Sequence, residues 1–347
     1  MENECTDEAI LRRALGYPYA RPDTSFVFAR GRPWLLTRAA VLAAEALFCA
    51  PDTSEHKAPE WSDMRVQPLP WEHNLRGEPQ YADPVGLDEV LGHGWTQSMA
   101  EDDALADRIP VLAIGSNAAP EQLARKFSTG SEVVVVILVR LYDYDIVFAP
   151  MVSAYGSVPA TISRAPGMYC DIAVTLLSRT QLVRMHATEH AYTFVRLNEP
   201  RADVLHSKMQ AAYSVSRPLY VYVQSDGALA VLPTLTRSDS DVGRNNSPIG
   251  LAEICASGSS PAPFPRATQE EIQAALHALL YPDEAGTPSK PDRTRLSARI
   301  IERVKSGPAH RQEICALLAA RHCVPWFLST NSATREYDIV CVPGASE

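Results

Sequence analysis

Ile109-Pro110-Val111-Leu112-Ala113-Ile114-Gly115-Ser116-Asn117-Ala118-Ala119-Pro120-Glu121-Gln122-Leu123 is an apolar run that ends in Gly-Ser-Asn and restarts behind a proline. That order predicts a strand, a tight turn and a helix. Gly115 has no Cβ, so the main chain can turn sharply there and approach a ligand closely. Ser116 or Asn117 is expected to cap a helix over residues 120–127, with Pro120 in its first turn. Free N–H groups at such a helix start, with the positive end of its dipole, favour a carboxylate or phosphate. A ligand-free junction has the same spelling, so residues elsewhere in the chain must decide its meaning.

Working outward, residues 132–139 are β-branched nearly throughout and predict a strand buried on both faces. Further strands are expected at 144–149, 160–163, 168–176, 191–197, 219–224 and 228–232, with Asp143 and Asp145 at a hairpin bend and turns at Ala165-Pro166-Gly167 and Ser225-Asp226-Gly227. A helix over 179–189 interrupts them. Its start, Ser178-Arg179-Thr180-Gln181, has the spacing of a capping box. The expected fold class is α+β, with a small mixed or antiparallel β-barrel or curled sheet.

The flanks read differently. Helices are expected over 6–15 and, from its Ala and Leu content, 35–49, with a strand at 25–28 between them. Residues 51–108 are polar, proline-rich and irregular, with a weak helical signal at 87–91, and suit a linker, lid or wrapping arm. Residues 236–265 read as loop, followed by helices over 268–280, 293–305 and 309–322 and a closing strand at 337–342. The expected division is a helical and irregular extension (1–108), a core (109–235), and a linker with a C-terminal helical region packing on the core (236–347).

Composition narrows the partners. The 347 residues carry 46% hydrophobic and 21% charged residues with net charge -9, which excludes a broad attraction to nucleic acid or anionic lipid. Seven scattered cysteines without a Cys-x-x-Cys pair argue against a disulfide framework and a thiolate zinc site. An acidic start, and no run near the roughly 18 apolar residues of a membrane span, complete the expectation of a cytoplasmic protein without a membrane partner.

His186-Ala187-Thr188-Glu189-His190 admits two chemistries. As His-x-x-Glu-His it spells the inverted zinc-hydrolase pattern, with His186 and His190 as ligands on one helix face and Glu189 as base. β-favouring Tyr192-Thr193-Phe194-Val195 follows almost at once, which puts His190 at a helix-to-strand corner. Alternatively Glu189 alone matters, as a general base working with the Gly-Ser-Asn turn.

The ordered set Ile114-Gly115-Ser116-Asn117, Pro159-Ala160-Thr161-Ile162 before Pro166-Gly167, the strand from Met168, and Glu189-His190-Ala191-Tyr192 resembles the gamma-glutamylcyclotransferase superfamily. The resemblance covers about a third of the chain, with Ile114 where the family usually has Tyr and His190 where it usually has Gly. It implies a cyclotransferase-like β-barrel carrying helical N- and C-terminal additions. The implied activity is attack of a γ-glutamyl amine on its own γ-carbonyl, releasing 5-oxoproline and an amine or peptide. It further implies Glu189 as catalytic acid and base, a substrate site at Ile114, Gly115, Ser116, Asn117 and Tyr192, and neither metal nor organic cofactor. Gly115-Ser116-Asn117 with Asp143 and Asp145 is superficially similar to hydroxymethyldihydropterin pyrophosphokinase, but here the Asp pair follows the turn too closely. Because so much of the chain lies outside the match, a non-catalytic binding or regulatory protein on a degenerate cyclotransferase core is the alternative, its added segments offering surfaces for oligomerisation or a protein partner.

Overall fold

The computed structural model describes residues 7–48, 60–68, 83–127, 132–198, 200–207, 210–230, 232, 235, 247–254, 256–258, 264–284, 293–324 and 337–340. The expected irregular stretches at 51–59, 69–82 and 236–246, and the end of the closing strand at 341–342, lie outside them. The chain divides into two compact units, each assembled from separated segments: Ala20–Tyr142, Asp171–Tyr222 and Ser329–Glu347 in one, Met1–Tyr19, Asp143–Cys170 and Val223–Leu328 in the other. The cuts expected after 108 and 235 each fall inside one of these units.

The first unit is built on a mostly antiparallel sheet, of which the strands Val133–Phe148, Ala160–Leu177 and Tyr220–Gln224 each run past the unit's bounds. Its strands run in the order Tyr337–Ile339, Tyr192–Leu197, Tyr220–Gln224, Ile109–Ala113, Ala160–Leu177, Val133–Phe148, Phe26–Ala29, Arg32–Leu36, Arg65–Pro68 and Val85–Gly86. Tyr220 and Val221 pair in parallel with Val111 and Leu112. Among the described residues the order does not return on itself, so the sheet is open where a small barrel was expected. The physical reason lies at its ends. Strands from the N-terminal region extend one edge and Tyr337–Ile339 covers the other, so the edge N–H and C=O groups pair with added strands instead of closing on each other. The expected buried strand is fully enclosed from Val133 to Ile137 and packs, with Phe26, Phe28, Leu123, Phe127 and Met185, into one apolar core.

Several expected boundaries move for local reasons. Leu35 and Leu36 finish a strand registered on Phe26 and its neighbours, and the helix begins only after Thr37, whose hydroxyl accepts from the Ala40 N–H at 3.2 Å. Residues 35–48 are therefore strand, helix and a 3-10 turn instead of one helix. The expected hairpin bend at Asp143 and turn at Gly167 break neither strand: Val133–Phe148 and Ala160–Leu177 run through them. Each kink is absorbed by one left-handed residue, Asp143 at φ 64° and Gly167 at φ 79°, and the Asp143 carboxylate accepts from the Gly167 N–H at 2.8 Å. The antiparallel pair Ala202–Ser207 and Gln210–Ser214 was not expected.

Arg108 ties this unit together. Its guanidinium is 1% exposed and donates to the carbonyls of Val133 (2.7 Å) and Leu176 (3.1 Å), to Gln181 Oε1 (3.3 Å) and to Asp103 (2.6 Å). One cation thus links the start of Ile109–Ala113 to its neighbour Ala160–Leu177, to Val133–Phe148 one strand further on, and to the capping glutamine of the next helix.

The second unit is largely helical. Asp7–Leu15, Gln269–Leu280, Arg293–Lys305 and Pro308–Arg321 bury Ala14, Ile272, Leu276, Ile300, Ile301, Val304, Ile314 and Leu318. Thr268 and Glu271 form the capping box that starts Gln269–Leu280. Buried Gln269 brackets Val158, donating to its carbonyl at 2.5 Å and accepting from its N–H at 3.0 Å, and Gln273 donates to the Gly156 carbonyl at 2.9 Å. Gly156 sits at φ 94°, where a Cβ would meet Ile301 Cγ1 at 2.6 Å. Among the described residues no helix is long and apolar enough to cross a membrane.

Replacing Arg108 with Ala removes the charge partner of Asp103 and two hydrogen bonds to buried carbonyls, so chemical denaturation should show a loss of about 3 kcal/mol. Gly156→Ala should lower the melting temperature through both backbone strain and the Ile301 clash, while Gly307→Ala, which meets nothing within 4 Å, should not.

Candidate functional site

The strand Ile109–Ala113 delivers the chain to Ile114, whose side chain is buried, and to Gly115 at φ -125°. Ser116–Ala118 then forms a single 3-10 turn, closed by the Ala119 N–H on the Ser116 carbonyl at 2.8 Å. The helix that follows is Pro120–Lys126, with proline at its start as expected, but its cap is Ala119, which has no side-chain acceptor. Ser116 and Asn117 do not cap it. The interposed turn moves them too far back, and Asn117 directs its amide elsewhere.

That amide reaches Glu189. Asn117 Nδ2 donates to Glu189 Oε1 at 3.1 Å across 72 residues of sequence. Its other end, Oδ1, accepts from Lys126 Nζ at 2.8 Å, and Lys126 Nζ also donates to Glu189 Oε1 at 2.6 Å. The ammonium's third contact is Met185 Sδ at 3.1 Å. An ammonium has three protons, so these contacts use them all. The Lys126 and Glu189 side chains are 4% and 14% exposed, and this is an ion pair largely out of water.

Glu189 owes its place to where its helix ends. The helix expected to reach 189 stops as Arg179–His186, and a turn follows in which the Glu189 N–H donates to the His186 carbonyl (3.0 Å) and the Tyr192 N–H to the Glu189 carbonyl (2.9 Å). The predicted capping box is present at the other end: Ser178 Oγ accepts from the Gln181 N–H at 3.2 Å, and Gln181 Oε1 from the Ser178 N–H at 3.1 Å. Tyr192 opens the next strand and packs half-buried against the apolar core. Glu189 is thus a carboxylate set against a buried ammonium. Oε1 is held by two donors, and Oε2 takes no part in those contacts.

Aromatic rings stand beside this group. His186 Nδ1 lies 2.8 Å from the Tyr222 hydroxyl, its ring meets Phe194 edge-on at 4.8 Å, and Phe194 stacks on Tyr220 at 5.4 Å. Burial pushes the His186 pKa down, partly opposed by the charge of Glu189. Burial and then that same charge push the Tyr222 phenol far above its ordinary range, so it keeps its proton. His186 Nδ1 and the Tyr222 hydroxyl share one hydrogen bond, whose direction follows the His186 tautomer. Nε2 is buried without a hydrogen-bond partner among the described residues.

This arrangement overturns the zinc pattern. His190 is exposed and lies beyond the helix, so it shares no helix face with His186, whose Nδ1 is already engaged. Among the described residues no three His, Cys, Asp or Glu side chains are placed to hold a metal ion. Sequence reading found Glu189 and Asn117 but missed Lys126, Met185 and Tyr222. A lysine in the last turn of a short helix is the ordinary place for a solvated cation, and nothing in its spacing announces a buried one.

No family model matches the chain, and no curated protein matches its sequence. Among solved structures, a gamma-glutamyl cyclotransferase is similar over 57% of this chain and 99% of its own, at 13% identity and a TM-score of 0.26. An uncharacterized protein from Homo sapiens is similar over 55% of this chain and 88% of its own, at 13% identity and a TM-score of 0.25. At scores this low the chemistry rests on the residues themselves.

Two measurements check the site. Glu189→Ala should cost about 3 kcal/mol in denaturant unfolding, because it leaves the Lys126 ammonium buried and unpaired. The His186 ring should titrate below the roughly 6.5 of an unfolded histidine, read by NMR. Its unfolded form then binds the proton first, so His186 contributes a stability loss as pH falls below that value, and His186→Gln should flatten that part of the stability profile.

Proposed function

We propose that this chain is a gamma-glutamylcyclotransferase-like enzyme that releases 5-oxoproline from a γ-glutamyl amine or peptide. The observation that supports it is the direct contact of Glu189 with Asn117 at 3.1 Å, which joins a carboxylate to the Gly115-Ser116-Asn117 turn. In the proposed reaction the substrate α-ammonium gives a proton to Glu189 Oε2, and the freed amine attacks the γ-carbonyl carbon. The carbon–nitrogen bond to the leaving amine then breaks as Glu189 returns the proton to that nitrogen. In total the α-nitrogen loses two protons and the leaving nitrogen gains two, so the protein ends as it began. Main-chain N–H groups of Gly115, Ser116 and Asn117 are the donors for the developing oxyanion. Ring closure is intramolecular, so holding the substrate folded supplies much of the rate.

A second reading is a non-catalytic γ-glutamyl-binding protein. Two observations favour it: Lys126 already holds Glu189, and Ile114, at the position where the resemblance calls for Tyr, is buried and carries no hydroxyl. A panel of γ-glutamyl amines and peptides separates the readings. The enzyme should yield 5-oxoproline from at least one of them, and Glu189→Gln should reduce kcat by about a thousandfold or more. Binding by calorimetry with no 5-oxoproline from any compound would support the binding protein.

A further inference from the structure

We infer that Lys126 is a positioning residue that fixes Glu189 through one carboxylate oxygen and leaves the other to handle the proton. This rests on the cyclotransferase-like reading and adds to it a residue that no motif of the chain supplies. Lys126 stands at the C-terminal end of Pro120–Lys126, and its ammonium points back at the Asn117 that precedes this helix. Its three donors converge on three different acceptors: Glu189 Oε1 at 2.6 Å, Asn117 Oδ1 at 2.8 Å and Met185 Sδ at 3.1 Å. At 4% exposure it has no solvated alternative.

The closed set Lys126, Asn117 and Glu189 has a mechanical consequence. Rotating the carboxylate would exchange Oε1 for Oε2 only by breaking both the ion pair and the Asn117 amide contact, neither of which water can readily replace at this burial. Glu189 therefore presents one oxygen in one orientation. The site also holds equal and opposite charges, so the substrate's ammonium meets a carboxylate whose charge is already balanced. Because the Lys126 protons are all engaged, Lys126 has none to offer a substrate carboxylate. Its effect on turnover passes through Glu189, which distinguishes it from a binding residue.

The test compares the full-length protein with its Lys126→Met, Lys126→Arg and Lys126→Ala variants on whichever γ-glutamyl compound the unaltered protein cyclises. Lys126→Met should reduce kcat by about a hundredfold while KM stays within about threefold, since misplacing a reacting group by about 1 Å carries a loss of that size. Lys126→Arg should not restore it, because a planar fork cannot meet three acceptors arranged around a point charge. Added propylammonium should recover part of kcat in Lys126→Ala, saturably, by refilling the vacated ammonium place. A fold-change shared equally by kcat and folded fraction, with no amine recovery, would overturn the inference and leave Lys126 a structural ion pair. Turnover unchanged in Lys126→Met would overturn it while leaving the cyclotransferase reading intact.

A measurement independent of turnover separates the two claims. In protein labelled with 15N at lysine Nζ, Lys126 should give an ammonium proton signal protected from rapid exchange, and Glu189→Gln should shift or remove it. Absence of any protected lysine ammonium overturns the inference whatever the assay shows. A protected signal that responds to Glu189→Gln, with no 5-oxoproline from the unaltered protein, sinks the cyclotransferase reading alone.

Discussion

An ammonium group withdrawn from water must find acceptors for three protons and an opposite charge, or it does not stay withdrawn. Lys126 meets that demand from three parts of the chain: the turn before its own helix, the last turn of Arg179–His186, and the corner before Tyr192–Leu197. The contact carries more than its own energy. It sets where Asn117 points, why Glu189 turns inward at a helix-to-strand corner, and why one oxygen of that carboxylate is held while the other is not.

The same logic recurs where each unit is joined internally. Arg108 collects carbonyls from two long strands, a capping glutamine and Asp103, so a single buried cation does what several apolar contacts could not do directionally. In the helical unit Arg266 meets fully buried Asp145 at 2.6 Å, and Gln269 and Gln273 lock the backbone at Val158 and Gly156. Both units are composed of segments distant in sequence. Polar anchors of this kind specify which segments meet, because a buried donor is costly to leave without its acceptor.

The site combines two chemical surroundings. On one side is a paired carboxylate and ammonium. On the other are Phe194, Tyr220, Tyr222 and a histidine that burial keeps neutral. Glu189 acts on both His186 and Tyr222 through its charge, so a change at any of these groups is felt by the others.

Sequence alone determined the local pieces. Ser178 with Gln181 and Thr268 with Glu271 announce helix starts because a hydroxyl or amide three residues away satisfies an orphan N–H within one turn. The β-branched run at Val133, and the helices at Gln269–Leu280 and Arg293–Lys305, follow from periodicity that needs no distant partner. Glu189 and Asn117 were legible as an ordered pair. Tertiary structure decided the rest. Whether Asp143 and Gly167 end a strand or kink it depends on a bond between them that neither local sequence contains. Whether the sheet closes depends on strands added from both ends of the chain. Whether Lys126 is a solvated helix-end cation or the buried partner of Glu189 depends on a carboxylate 63 residues away, since charge pairing is set by distance in space and a sequence carries only distance along the chain.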